Sequence, residues 1–146
     1  MIKIKKIVIV PYSCEEMFDL VIDINNYQTF LPWCSKSSSF VDENNHVIGS
    51  IDIDYLKIKT HFITKNINTH PHKVNITFVD GPFSDLHGFW LFTPLGNNGC
   101  KIEFNLNYKF SNIFIEKLIG PVFNFITKNI IDCFIKEAHA RKKDKY

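Results

Sequence analysis

From Lys101 to Phe110 apolar and polar residues alternate without a break. Ile102, Phe104, Leu106, Tyr108 and Phe110 fall on one side, and Lys101, Glu103, Asn105, Asn107 and Lys109 on the other. Period two is the pattern of a strand with one buried and one wet face. A sheet that is apolar on one side must have that side covered. The cover follows at once: Ser111 or Asn112 can cap a helix that continues to about Arg141. Along it Ile115, Leu118, Ile119, Val122, Ile126, Ile130, Cys133 and Phe134 make a broad apolar stripe. Gly120-Pro121 falls inside, where a kink or loosening is expected.

The chain upstream builds the rest of the sheet. Lys3 to Val10 is rich in β-branched residues and ends at Pro11, which reads as a strand. Ser13 with Glu16 is a capping box, and Met17, Leu20 and Val21 recur at helical spacing, so a short helix runs to about Asp23. Asn25 and Asn26 interrupt it; a second short piece, Tyr27 to Leu31, stops at Pro32. From Ser37 to Phe110 alternation is broken by turn signals at Glu43-Asn44-Asn45, His70-Pro71-His72, Asp80-Gly81-Pro82 and Gly96-Asn97-Asn98-Gly99. These divisions make a meander of about six strands. The expectation is one α+β domain over residues 1–146. It is a curved antiparallel sheet of about seven strands around a long C-terminal helix, with two short helices after strand 1. A sheet that closes only partly around the helix leaves a gap at its mouth, which the short helices would lid as a ligand cavity.

Composition narrows the function classes. Of 146 residues 45% are hydrophobic and 14% aromatic, fourteen of them phenylalanine, so either a bulky core or a ring-walled cavity is expected. The net charge of +2 does not by itself imply a nucleic-acid partner. Lysines cluster at both ends, with Lys3, Lys5 and Lys6 at one and Arg141, Lys142, Lys143 and Lys145 at the other. Sixteen lysines to one arginine point to A/T-rich coding and weaken lysine as a functional signal. Cys14, Cys34, Cys100 and Cys133 form no CxxC pair, and MIKIKKIVIVPY lacks the shape of a secretory leader. No apolar run approaches the roughly 20 residues that span a bilayer. The expectation is a cytoplasmic protein with free thiols.

The segments VPYSCEEMFDLV, NNYQTFLPWC, VDGPF, LxGxWxFxPL (Leu86 to Leu95) and CKIEFNLNYKF occur in this order. In order and spacing they resemble the family of the ribosome association toxin RatA and the coenzyme Q-binding START proteins. That family lies within the START and birch-pollen-allergen superfamily, and the likeness spans nearly the whole chain; the final helix matches by pattern more than by identity. The resemblance implies the helix-grip fold. It implies two linked functions: bacterial members bind the large ribosomal subunit and block its association with the small one, and mitochondrial members hold ubiquinone and support respiratory electron transfer. It implies no catalytic set.

Several residues carry two readings. Asp80-Gly81-Pro82-Phe83 is a tight turn in its own right, or it sets Phe83 at a cavity mouth. Leu86, Gly88, Trp90 and Phe92 share a strand face as core, Gly88 marking a bulge or a close approach of the helix; alternatively they wall a quinone pocket. The cluster Tyr27, Phe30, Leu31, Pro32 and Trp33 is a packed lid, or an exposed partner or membrane site. The candidate cavity residues are Tyr27, Phe30, Leu31, Trp33, Phe62, Phe78, Phe83, Trp90, Phe92, Phe104, Leu118, Val122, Ile126 and Ile130. Lys57, Lys59, His61 and Lys65 on one strand face, with Lys101, Lys109 and the tail Arg141, Lys142 and Lys143, are the candidate basic face for ribosomal RNA, or an ordinary solvated surface.

His70 and His72 flank Pro71 without further ligands at metal spacing, and Asp52 with Asp54 read as solvated surface carboxylates. No Walker loop, GxGxxG, HExxH or GxSxG occurs. The missing motifs agree with a non-enzymatic protein, and the function that the resemblance implies is binding to the large ribosomal subunit, with a cavity for ubiquinone or a similar polyisoprenoid lipid. The alternative is a ubiquinone chaperone making transient membrane contact for lipid exchange, and a cyclase-like enzyme is weaker. No cofactor or metal is required, and a monomer is expected.

Overall fold

The computed structural model describes residues 1–144, Asp144 by its backbone alone; Lys145 of the basic tail lies outside the described residues. β1 (Ile2–Val10) leads through Ser13 into α1 (Cys14–Ile22). The capping box forms as the sequence suggests: the Glu16 N–H donates to Ser13 Oγ at 3.1 Å and the Ser13 N–H to Glu16 Oε1 at 3.5 Å. A single 3₁₀ turn (Ile24–Asn26) and α2 (Tyr27–Phe30) follow. Then come β2 (Cys34–Val41), β3 (Val47–Tyr55), β4 (Ile58–Thr69), β5 (Lys73–Asp80), β6 (Phe83–Leu95), β7 (Gly99–Phe110) and α3 (Ile113–Asp144).

The strands form one seven-stranded antiparallel sheet in the order β1-β7-β6-β5-β4-β3-β2, a meander with β1 added beside β7. Its alternation holds in three dimensions: Ile102, Phe104, Leu106, Tyr108 and Phe110 are buried on the concave face. Four of its turns carry the polar, glycine or proline residues that marked them. At the β2–β3 turn Asn45 has φ 63°, and Asp42 Oδ1 accepts from the Asn44 and His46 N–H groups. Gly81 has φ 142°, and a Cβ there would stand 2.7 Å from Phe62 Cβ. The fifth turn carried no such signal. It is the two-residue connection Leu56-Lys57, with φ 50° and 67°. That conformation favours Asn-Gly over these bulky residues.

Two sequence expectations change here. Lys57 sits in this turn, not on the strand face with Lys59 and His61. Gly88 marks neither a bulge nor an approach of the helix. It stays in register with Leu106 of β7, and a Cβ on it would fall 2.0 Å from the Asn105 carbonyl oxygen. The approach is strand to strand.

α3 is capped by Asn112, whose Oδ1 accepts from the Ile115 N–H at 2.9 Å. The helix runs on through Pro121. Among the described residues it is long and apolar enough to cross a bilayer, which the sequence reading had missed. Instead it lies in the grip of the sheet, burying Ile119, Val122, Phe123, Ile126, Thr127, Ile131 and Phe134. Leu118 does not belong to the gripped stripe. One residue before Ile119 it is about 100° round the helix, and it stands 61% exposed. Phe123 and Ile131 take their places in the core instead.

Candidate ligand cavity

Between the concave face of the sheet and α3 lies a cavity of about 90 Å³. α1, the 3₁₀ turn and α2 contribute Val21, Ile24 and Tyr27 to its wall, and Trp33 follows just before β2. Of the residues singled out in the sequence, Tyr27, Trp33, Phe62, Trp90, Phe104, Ile126 and Ile130 line it together.

The other candidates are placed elsewhere. Phe83 and Phe78 belong to an aromatic cluster below the cavity, with ring centroids 5.8 Å apart, and Phe83 packs on Phe123 at 4.8 Å. Phe92 is buried between Trp90 and Phe18. Phe30 stands edge-on to Tyr27 and Phe134, while Leu31 and Val122 are packed core. Leu118 faces away. Phe62, Phe104 and Phe123 thus line the cavity and Phe18, Phe83, Phe92, Phe110 and Phe134 are packed core, while Phe40, Phe114 and Phe125 are exposed.

The wall is almost wholly apolar, with a few polar groups that the sequence reading passed over. Alternation along β4 from Phe62 puts Thr64 and Asn66 on the same inward face, which is the signal that could have found them. Thr64 Oγ1 donates to Asn66 Oδ1 at 3.1 Å. That bond turns the amide so that Asn66 Nδ2 has no acceptor among the described residues. Two steps of alternation beyond Thr64, Asn68 Oδ1 is likewise buried without a partner among them. Thr127 is already satisfied: its Oγ1 donates to the Asn124 carbonyl at 3.2 Å and meets Tyr108 Oη at 3.2 Å. Tyr27 donates its hydroxyl to the Val21 carbonyl. Burial pushes the Tyr27 phenol far above its ordinary pKa. Apart from Tyr27 no lining residue is an acid or a base, so the cavity offers shape and a few neutral donors, Asn66 and the indoles of Trp33 and Trp90, and no general acid–base pair.

A second hollow, a surface cleft of about 280 Å³, lies beside the first and shares Trp33 and Ile126 with it. Tyr55 and Phe125 stack across the cleft at 6.1 Å, with planes 10° apart.

The candidate basic residues do not gather on one surface. Lys59 and Lys65 point outward from β4, and Lys101 and Lys109 outward from β7, with β5 and β6 between. Lys101 pairs with Glu103 at 3.7 Å. Arg141 pairs with Glu137 and Lys142 with Glu16, each at 3.2 Å, at the far end of α3 with Lys143. On the same outer face Asp52, His61 and Ser50 form a hydrogen-bonded chain, with Ser50 Oγ 3.4 Å from His61 Nε2. The chain sits in an open depression with half-exposed His61 and Asp52, away from the cavity. No group of three or more His, Cys, Asp or Glu side chains converges on a metal position among the described residues.

The family model for polyketide cyclase/dehydrase and lipid transport matches residues 10–135, most of the sheet and helix just described. The chain belongs to the polyketide cyclase/dehydrase and lipid transport family. Within this family it is 37% identical to the ribosome association toxin RatA of Vibrio cholerae, over 93% of this chain and 94% of that protein. It is 24% identical to the mitochondrial coenzyme Q-binding protein COQ10 homolog B of Xenopus laevis, over 89% of this chain and 55% of that one. Among solved structures, a START superfamily protein from Mycobacterium smegmatis superposes with a TM-score of 0.73 at 15% identity, over 94% of this chain and 97% of that chain. That likeness carries the helix-grip fold and nothing further. The family spans enzymes and carriers, so its membership leaves the choice to the cavity wall.

Proposed function

We propose that this protein acts by binding, without catalysing a reaction, and that it associates with the large ribosomal subunit so as to hinder joining with the small one. The observation that carries this reading is the unbroken similarity to RatA across 93% of the chain. A cytoplasmic place goes with it. The outward lysines of β4 and β7 are the proposed contact, because ribosomal RNA is bound chiefly through phosphate neutralisation and shape. Lys59→Glu with Lys65→Glu leaves the buried face untouched and should weaken co-sedimentation with free large subunits while the melting temperature stays put. Wild-type binding by that variant would remove the outer face of β4 from the reading.

The cavity supports a second, compatible reading, a carrier for a ubiquinone or similar polyisoprenoid lipid. What favours it is an apolar wall with a few neutral donors, Asn66 among them, which suits an apolar ligand that carries a carbonyl or ether oxygen. The absence of any titrating pair on the wall favours a carrier over a cyclase. A cavity of about 90 Å³ is below the roughly 150 Å³ apolar cavity that accepts benzene, so the ligand must enlarge it on entry. Native mass spectrometry of protein purified without detergent tests the occupant directly. With decylubiquinone as probe, Asn66→Leu should lower affinity roughly three- to tenfold, the worth of one net hydrogen bond. Equal binding by that variant would deny Asn66 the role, and no binding by wild type would deny the carrier.

A further inference from the structure

The meander brings the β3–β4 turn, the end of β5 and the entry to α3 to the same end of the molecule. Exposed apolar side chains concentrate there. Leu56 is 71% exposed and Phe114 79%, and Val79, Ile113, Leu118 and Phe125 are also exposed. Phe114, Leu118, Pro121 and Phe125 follow at spacings of four, three and four, a single stripe on the side of α3 turned away from the sheet. Scattered exposed leucines need no explanation, whereas a contiguous patch of this kind marks a docking surface.

We infer that this end of the protein docks on the surface of an anionic lipid bilayer. Charge decides between a bilayer and a protein partner. Lys117 and Lys128 flank the stripe and Lys57 adjoins Leu56, all exposed. The carboxylates nearby are turned aside or answered: Glu116 is about 200° from Phe114 round the helix, Asp54 opposes Lys59 and Asp85 opposes Lys109. Asp80, and Asp132 on the wall of the cleft beyond Phe125, stand without an ion pair among the described residues. Lysine is depleted from protein–protein interfaces, whereas aromatic and leucine side chains interleaved with lysine suit the boundary of headgroups and acyl chains in anionic membranes.

Phe125 links this surface to the interior. It belongs to the stripe and also stacks on Tyr55 over the cleft that shares Trp33 and Ile126 with the cavity. Immersing Phe125 in lipid unstacks it, so docking and opening are one event, and a ligand passes between bilayer and cavity without crossing water. This purpose rests on the carrier reading, but docking is measured with the cavity empty and so fails or stands separately.

The test is co-sedimentation of the full chain with phosphatidylcholine vesicles, with and without phosphatidylglycerol. Binding is expected on the anionic vesicles, with loss as salt rises. Phe114→Asp with Leu118→Asp removes only exposed groups and should lower binding about tenfold or more, with the melting temperature and co-sedimentation with large subunits unchanged. Trp33 fluorescence should shift on anionic vesicles and fail to shift in the variant. Three results would each overturn the inference: no sedimentation of wild type with either vesicle, equal sedimentation of the variant, or a wild-type dimer that the variant converts to monomer. The last would assign the stripe to a second copy of the chain.

Discussion

Gly88 shows how much one side chain can matter in a coiled sheet. Any Cβ there would meet the Asn105 carbonyl oxygen of β7 at 2.0 Å, a backbone atom that cannot swing aside. Gly88→Ala should therefore destabilise by at least the roughly 1–3 kcal/mol of an overpacked core, read as a lowered urea midpoint at unchanged slope. Trp90 is the opposite case, a large ring packed against Phe92, Phe104 and Phe134 on the cavity wall. Trp90→Ala should cost roughly 3–5 kcal/mol and lower lipid retention beyond what the fraction unfolded accounts for. Cys100 is wholly buried, its Sγ 3.0 Å from that of Cys14. Burial foremost pushes its thiol up to about 12. At pH 8 only about one thiol in ten thousand is ionised at such a value. Mass-spectrometric labelling with iodoacetamide should find Cys100 modified no faster than the protein unfolds.

At the scale of elements the β3–β4 turn is the strained joint. Leu56 and Lys57 both hold left-handed backbone that costs a bulky residue about 1 kcal/mol or more each. Leu56→Asn with Lys57→Gly supplies the residues this turn prefers and should raise the urea midpoint. An unchanged or lower midpoint would show that the turn is held by contacts those residues make. α1 is tied to α3 by Lys142 donating to Glu16. Burial works against the ionised Glu16, but the bonds from Lys142 and Ser13 outweigh it and hold the carboxyl below its ordinary 4.5. A depressed carboxyl stabilises the fold fully above 4.5 and loses that contribution as pH falls through the folded value. Both partners are partly exposed, so the effect is under about 1 kcal/mol. Lys142→Ala should lower stability by under about 1 kcal/mol at neutral pH, and its difference from the wild type should shrink as pH falls through that acid window.

For the whole molecule the deciding quantity is the mismatch between a closed cavity of about 90 Å³ and any ligand with a ring and a tail. Binding of such a ligand would have to enlarge the cavity, and the Tyr55–Phe125 stack stands over the cleft that shares Trp33 and Ile126 with it. Ile76→Phe, which adds bulk to the cavity wall, should abolish binding of decylubiquinone while the melting temperature holds or rises. Retained binding in that variant would place the ligand outside the cavity. Because the outward lysines lie on separate strands, ribosome association should decline smoothly with salt, with no single lysine abolishing it.

The sequence by itself determined most of the strands, the capping box and the covered sheet, because period-two and helical alternation, Ser13 with Glu16, and the glycine and asparagine turns are local signals. The segments from Val10 to Phe110 likewise carried the family resemblance that the comparisons bear out. Which apolar residues meet each other was decided only in three dimensions. Trp90 and Phe92 follow the same alternation, and Phe83 joins their buried cluster across a bulge before Asp85, yet of the three only Trp90 lines the cavity, the other two rings being packed on Phe18 and Phe123. Leu118 and Ile119 are equally apolar, and the grip of the sheet buries one and leaves the other in solvent. Thr64 and Asn66 carry no motif, and they become a cavity-facing pair only where β4 curls beneath α3. The Leu56-Lys57 turn had no local signal because the register of β3 against β4, extended on both sides, imposes it on residues that would not choose it.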